Sequence, residues 1–187
     1  MRVFIAVDLE SREALANLTA LQRSLVGSGA DVKLVEPQNL HFTIKFLGEV
    51  DAGIVTEVKE ILSQIEAPVI KVVYQGVGAF PSISRPNVIW VGSDKEGGML
   101  LSKLASMVES RLTHLRVGDS KPFVPHLTIA RVRSGRNKDA LIKIINSNLN
   151  TVFGEDTLTK IKLKKSDLTP KGPIYTDLYV KNLVGST

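Results

Sequence analysis

The sequence has 187 residues, of which 43% are apolar and 23% are charged, and these values predict one compact domain without disordered tracts. It contains no cysteine, which excludes disulfides, thiolate nucleophiles and thiolate-ligated metal centres. The net charge of +5 favours anionic ligands such as nucleotides or RNA, although many basic surfaces only face solvent.

The N-terminus begins directly with the pattern of an apolar strand, and no apolar stretch is long enough to cross a bilayer. We therefore expect a cytoplasmic protein with no signal peptide and no contact with membranes. Nothing in the sequence predicts an obligate protein partner.

The first half of the chain alternates strand and helix patterns. Residues 2–8 predict a strand, and Ser11 opens a segment with leucines at helical spacing. A second strand is predicted at 41–46, a second amphipathic helix at 54–65 and a further strand at 68–77.

The second half repeats this order. It predicts a strand at 87–92, a helix through 100–112, a strand at 126–131, a helix at 141–149 and a strand at 157–165. Both halves therefore contain a β-α-β-α-β unit.

This duplication predicts an α+β fold in which residues 1–187 form a single bilobal domain. The approximate repeats are 1–82 and 86–170, and a final strand at 174–183 is expected at a sheet edge. We expect two pseudo-symmetric lobes whose sheets face a central cleft, with the helices outside and the functional site in the cleft.

Two of the three histidines share a local pattern. His41 and His126 lie 85 residues apart, and each has threonine two positions later (Thr43 and Thr128) and isoleucine three positions later. Because side chains alternate along a strand, each histidine shares one face with its threonine, and Phe46 is expected on the opposite face, towards the core.

Paired imidazoles suit phosphoester chemistry. An ordinary imidazole titrates near pH 6.5, so around neutrality one ring can act as a base while the other is a protonated acid. The threonine hydroxyls can donate to phosphate oxygens, so neither a metal nor another cofactor is required. His114 lacks the pattern and is expected to be a surface histidine near a helix end.

At these residues the chain resembles the two-histidine phosphoesterase superfamily, specifically the RNA 2',3'-cyclic phosphodiesterases historically called 2'-5' RNA ligases. The resemblance extends beyond the paired motifs to Pro37–Leu40, Lys45–Glu49, Arg85–Trp90, Phe123–Pro125 and Gly172–Tyr175. It implies a bilobal fold and hydrolysis of a 2',3'-cyclic phosphate to a 2'-phosphate. It also implies that His41 donates a proton to the 3' oxygen and that His126 accepts one from water.

The resemblance further implies that Arg131 contacts phosphate. Strict alternation would place Arg131 on the face opposite His126, so either the strand ends or bulges there or the long side chain curls round. The alternative is an arginine that only faces solvent. Phe46 and Phe123 are candidates for stacking on a base, with core packing as the alternative.

Three alternating lysines predict a basic strand face that either meets an RNA backbone or faces solvent. They are Lys160, Lys162 and Lys164.

The expected ligand is RNA with a 2',3'-cyclic phosphate end, or a small cyclic nucleotide. The runner-up activity is ligation, in which a 5'-hydroxyl replaces water and a 2',5' linkage forms. A metallohydrolase using both histidines lacks a third ligand motif such as H-E-x-x-H. A noncatalytic RNA-end-binding module is the alternative from a different class.

Overall fold

A computed structural model describes residues 1–185 of the chain. This part forms nine β-strands and four α-helices. In chain order they are β1 (Arg2–Asp8), α1 (Arg12–Gly27), β2 (Val32–Leu34), β3 (His41–Glu49), α2 (Ala52–Ser63), β4 (Ile70–Pro81), β5 (Pro86–Ser93), α3 (Lys95–Leu112), β6 (Leu127–Val132), α4 (Lys138–Ser147), β7 (Val152–Leu158), β8 (Lys160–Thr169) and β9 (Gly172–Asn182).

Side-chain caps fix the start of the three longer helices. Ser11, Asp51 and Asp94 each accept a hydrogen bond from the backbone N–H three residues later. Such caps satisfy amide donors that have no partner within the helix. The predicted helix through 100–112 therefore begins earlier, directly after Asp94.

The strands form one antiparallel sheet in the order β7-β4-β5-β6-β3-β1-β8-β9, and β2 pairs with β6. Its two halves, β7-β4-β5-β6 with β2 and β3-β1-β8-β9, meet where β3 and β6 pair at Phe42 and Leu127. These residues directly follow His41 and His126, so the seam between the halves lies between the two histidine motifs. The α+β fold with two lobes is as the sequence predicts.

Strands from the two predicted repeats cross between the halves of the sheet. β4 comes from the first repeat and pairs with β5, whereas β8 comes from the second repeat and pairs with β1. Helix α1 correspondingly packs against β7, and α3 packs against β4. The two halves are thus interlocked rather than consecutive in the chain.

The strand predicted at 157–165 is wrong in its boundaries, because the structure divides this region between β7 and β8. Thr159 lies at the break, where its backbone N–H and its hydroxyl both donate to the Glu10 carboxylate. β9 is the edge strand expected near the C-terminus.

The core lies where the helices cover the sheet, and Phe42 and Tyr74 stack there with their ring centroids 5.8 Å apart. The side chain of Phe42 is therefore committed to the core, while the neighbouring His41 and Thr43 are only partly buried. Within residues 1–185, no helix is both long and apolar enough to cross a membrane.

Candidate active site

A cleft of about 270 Å³ lies over the seam between β3 and β6. Both histidines and both threonines of the two motifs line it. His41 and Thr43 come from β3, Thr128 comes from β6, and His126 directly precedes β6. The structure thus brings the four predicted side chains into one cleft.

The two histidine rings are held in the same way. The Nδ1 atom of His41 lies 2.6 Å from the carbonyl oxygen of Asn39, and Nδ1 of His126 lies 2.7 Å from that of Val124. A carbonyl oxygen can only accept, so each Nδ1 carries a hydrogen. In the neutral rings Nε2 is therefore the basic atom.

The surroundings of the two rings differ. Nε2 of His41 lies 2.9 Å from the hydroxyl oxygen of Thr43. The His41 ring also packs against Phe4 and Tyr175, with centroids 5.1 and 5.6 Å away. Phe80 meets the His126 ring edge-on at 4.9 Å. Aromatic edges thus restrict the orientation of both imidazoles.

Burial lowers the pKa of His41 below its ordinary value, because the cationic ring loses hydration. The Asn39 carbonyl and the negative charge of Asp8 oppose this shift, whereas Lys164 and His126 add to it. Without a bound anion, His41 is therefore held towards its neutral form.

A β-bulge follows each histidine. In β3, Thr43 pairs with Ala6 and Lys45 pairs with Ile5, so Ile44 is the extra residue. In β6, Thr128 pairs with Trp90 and Ala130 pairs with Ile89, so Ile129 is the extra residue. Each bulge reverses the alternation of side chains beyond it.

The bulges bring the fifth residue after each histidine into the cleft. These residues are Phe46 and Arg131, and both line it. The expectation that Phe46 points into the core is wrong, because that expectation assumed uninterrupted alternation. The guanidinium of Arg2 lies 4.8 Å from the Phe46 ring centroid, and Lys33 pairs with Arg131 across β2 and β6.

Phe123 does not join this group. It is partly buried and packs against the hydrophobic core, outside the set of residues that line the cleft. His114 lies in a 3₁₀ turn, Thr113–Leu115, and is exposed, as expected.

The three alternating lysines form ion pairs with neighbouring carboxylates. Asp8 lies 2.9 Å from Nζ of Lys162 and 3.1 Å from Nζ of Lys164, and Lys160 pairs with Glu10 at 3.8 Å. The Lys164 side chain is only 7% exposed. Lys164 therefore does not present a free charge to an RNA backbone.

Asp177 completes this ionic cluster, at 2.9 Å from Lys162 and 3.0 Å from Lys164. Burial alone would raise the pKa of Asp177, but hydrogen bonds from the two lysines lower it. Asp8 pairs with His41 across β1 and β3, so the cluster lies directly beside the cleft.

Several further residues line the cleft that had no role predicted from the sequence, among them Arg2, Phe4, Asn39 and Tyr175. The stretches typical of the resembled family contain Asn39 and Tyr175, which was a signal for these two. Arg2 and Phe4 gave none, because they read as ordinary strand residues. Among residues 1–185, no group of three or more acidic or histidine side chains could hold a metal ion.

Comparison with protein families matches the chain to the LigT-like phosphoesterases. The family model matches the chain twice, over residues 7–90 and 91–175. Each match contains one of the two histidine motifs.

Two similar curated proteins are each named RNA 2',3'-cyclic phosphodiesterase. One, from Archaeoglobus fulgidus, is 39% identical over 96% of this chain and 99% of its own length. The other, from Methanothermobacter thermautotrophicus, is 37% identical over 98% and 99%. Among solved structures, the protein TT0787 of Thermus thermophilus superimposes with a TM-score of 0.78, at 30% identity and 98% coverage of both chains.

Proposed function

The chain belongs to the LigT-like phosphoesterase family, and we therefore propose that it hydrolyses the 2',3'-cyclic phosphate ends of RNA to 2'-phosphomonoesters. The observation that carries this proposal is the pair of imidazoles, His41 and His126, whose Nδ1 atoms are both bound to carbonyls within one cleft. Both Nε2 atoms then carry the proton transfer at a phosphate between them, and the Thr43 hydroxyl turns from Nε2 of His41 to donate to that phosphate.

In the proposed reaction His126 is the base and His41 is the acid. Nε2 of His126 takes a proton from water as the water oxygen attacks phosphorus. The bond from phosphorus to the 3' oxygen breaks, and Nε2 of protonated His41 gives its proton to that oxygen. The products are a 2'-phosphate and a 3'-hydroxyl, and both imidazoles have exchanged protonation states.

Three further side chains stabilise the negative charge that develops on the phosphate oxygens. The hydroxyls of Thr43 and Thr128 donate hydrogen bonds, and the guanidinium of Arg131 supplies a full positive charge. The bulge at Ile129 supports this role for Arg131, because it turns the arginine to the face of His126. The proposal includes no metal and no other cofactor.

In the His41 motif, the position equivalent to Arg131 is the aromatic residue Phe46. The two ends of the cleft therefore differ in chemistry. Phe46 offers a flat apolar surface, and the guanidinium of Arg2 lies against its ring. Nucleobases stack on both kinds of surface. We assign this end of the cleft to the terminal base and the Arg131 end to the phosphate. Phe123 remains a candidate for a base contact, although its packing against the core favours a structural role.

The lowered pKa of His41 is compatible with its role as acid. The cyclic phosphate carries a negative charge, and an anion beside the ring favours the protonated form. Binding of the substrate thus opposes the effect of burial. Once protonated, a ring of low pKa transfers its proton readily to the leaving oxygen.

We propose that the ligand in the cell is RNA in the cytoplasm. Ligation is the competing reaction that the same site could catalyse. To test this, the purified protein is incubated in the presence of EDTA with one of two substrates, adenosine 2',3'-cyclic monophosphate or an oligonucleotide that ends in a 2',3'-cyclic phosphate. Half of the samples also receive RNA with a free 5'-hydroxyl. Hydrolysis predicts a phosphomonoester in every sample. A 2',5'-linked product would support ligation, binding without turnover would support a noncatalytic module, and loss of turnover that zinc or manganese restores would support a metallohydrolase.

A further inference from the structure

The hairpin formed by β8 and β9 extends beyond the strand on which it packs. β1 pairs with β8 from Ala6 opposite Lys162 to Val3 opposite Lys165. β8 and β9 continue through four more pairs, from Ser166 opposite Tyr175 to Thr169 opposite Gly172. We call residues 166–175 the ribbon.

One face of the ribbon forms a wall of the cleft. Ser166, Pro173 and Tyr175 line the cleft, as does Lys171 at the turn. Leu168 is paired with Pro173, so the two side chains share that face. Leu168 is 70% exposed, which places an apolar surface beside the outer end of the cleft.

We propose that the ribbon is the binding subsite for the nucleotide that precedes the cyclic end of an RNA chain. This inference rests on the proposed function, since it assumes that the cyclic end occupies the cleft. Leu168 and Pro173 supply apolar contact for the ribose and base of the preceding nucleotide. Lys171 supplies a cation for the phosphodiester that joins it to the terminal nucleotide.

The opposite face of the ribbon provides a control, because it is also exposed but does not face the cleft. Ile174 lies between Pro173 and Tyr175 and points away from the cleft, because neighbouring residues of a strand alternate. It is 58% exposed, close to the exposure of Leu168. The two apolar side chains thus differ mainly in the face that they occupy, which makes Ile174 a matched control.

The ribbon favours RNA over a separate protein partner because its contacts continue those of the cleft. Lys33 offers a cation elsewhere on the rim, but the apolar neighbours Leu34 and Val35 are partly buried and pack against the core. At the ribbon, by contrast, Lys171 lies three residues from Leu168, which is 70% exposed. A nucleotide needs both kinds of contact, since it carries an anionic linkage and an apolar base.

The test compares kcat/KM for adenosine 2',3'-cyclic monophosphate with kcat/KM for the dinucleotide ApA that ends in the same cyclic phosphate. We expect the wild-type protein to prefer the dinucleotide by on the order of tenfold. Leu168→Ala should remove most of this preference while leaving the mononucleotide rate unchanged, and Ile174→Ala should change neither. Lys171→Ala should reduce the slope of log(kcat/KM) against log[salt] for the dinucleotide by roughly 0.7.

Equal rates of the wild-type protein on both substrates would overturn the subsite. So would equal losses on both substrates in the Leu168→Ala variant, because they would indicate a structural role. Failure of the proposed function itself is distinguishable, since neither substrate would then be turned over.

Discussion

Ile44 and Ile129 occupy equivalent positions, because each is the extra residue of a β-bulge three positions after a cleft histidine. The residue two positions beyond each bulge therefore faces the cleft. In one motif this residue is Phe46 and in the other it is Arg131. The two motifs thus share their backbone geometry, but the side chain five residues after the histidine is aromatic in one and cationic in the other.

Replacement of Arg131 tests the role that its bulge makes available. Arg131→Ala should reduce kcat on the order of 10²-fold, because it removes a charged donor from the developing phosphate charge. Arg131→Lys should restore part of the rate, since the charge returns without the planar fork. Steady-state kinetics on a cyclic mononucleotide measure both. A near-normal rate in Arg131→Ala would indicate that the arginine only lines the rim.

The histidines are tested by removing each ring separately. His41→Ala and His126→Ala should each lower turnover by at least about 10²-fold, because each removes one partner of the acid–base pair. Circular dichroism should show retained folding. His114→Ala is the control, since His114 is exposed and lies outside the cleft. Near-normal turnover in either cleft variant would remove that histidine from the mechanism.

Much of the site could be predicted from the sequence because it depends on local repetition. The His-x-Thr pattern places a histidine and a threonine on one face of any strand, and the duplication implies that the two faces meet. The bulge in β3 could not be predicted, because isoleucine is equally suited to a regular strand, whereas an end or bulge of the strand before Arg131 was expected only because the resemblance places that arginine at the phosphate. The exchange of β4 and β8 between the two halves of the sheet could not be predicted either, because one sequence does not specify which strands pair.

The pH dependence follows from the lowered pKa of His41. The reactive form has His41 protonated and His126 neutral, so kcat/KM, which reports the free enzyme, should follow a bell whose two limbs belong to the coupled pair. On the alkaline side the rate falls with the protonated fraction of His41, so the lowered pKa of His41 reduces kcat/KM there. The alkaline decline of kcat should lie at higher pH, because the bound anion stabilises the imidazolium of His41.

The Asp8→Asn variant tests whether the pKa of His41 controls the pH dependence. The negative charge of Asp8 raises the pKa of His41, so its removal should lower kcat/KM on the alkaline side of the bell. Asp177→Asn is the control, because Asp177 pairs with the same lysines but does not pair with His41 across the sheet. An unchanged kcat/KM at alkaline pH in Asp8→Asn, with folding retained, would contradict the role of His41 as the acid.

Asn39 links the ribbon to the acid. Its carbonyl accepts from Nδ1 of His41, and its side-chain amide donates to the Pro173 carbonyl at 3.3 Å. We expect Asn39→Ala to lower kcat on the order of tenfold, with little change in KM, because the loop that orients His41 loses its anchor.

The matched control is Val124→Ala. Val124 holds His126 through the same kind of carbonyl contact, but its side chain is 48% exposed, so its loss should leave kcat unchanged. Asn39→Ala keeps the backbone carbonyl that contacts Nδ1 of His41, so a lower kcat/KM at alkaline pH in this variant would report a shift of the loop. Equal effects of the two substitutions would contradict a specific role for the amide.

The most direct test of the central claim is the identity of the product, measured by phosphorus NMR after complete reaction of an oligonucleotide with a 2',3'-cyclic phosphate end. If His41 protonates the 3' oxygen, the bond to that oxygen breaks and phosphate stays on the 2' position. We expect one phosphomonoester resonance, that of a 2'-phosphate, beside the resonances of the internal phosphodiesters. A 3'-phosphomonoester, or an unchanged cyclic phosphate, would contradict it.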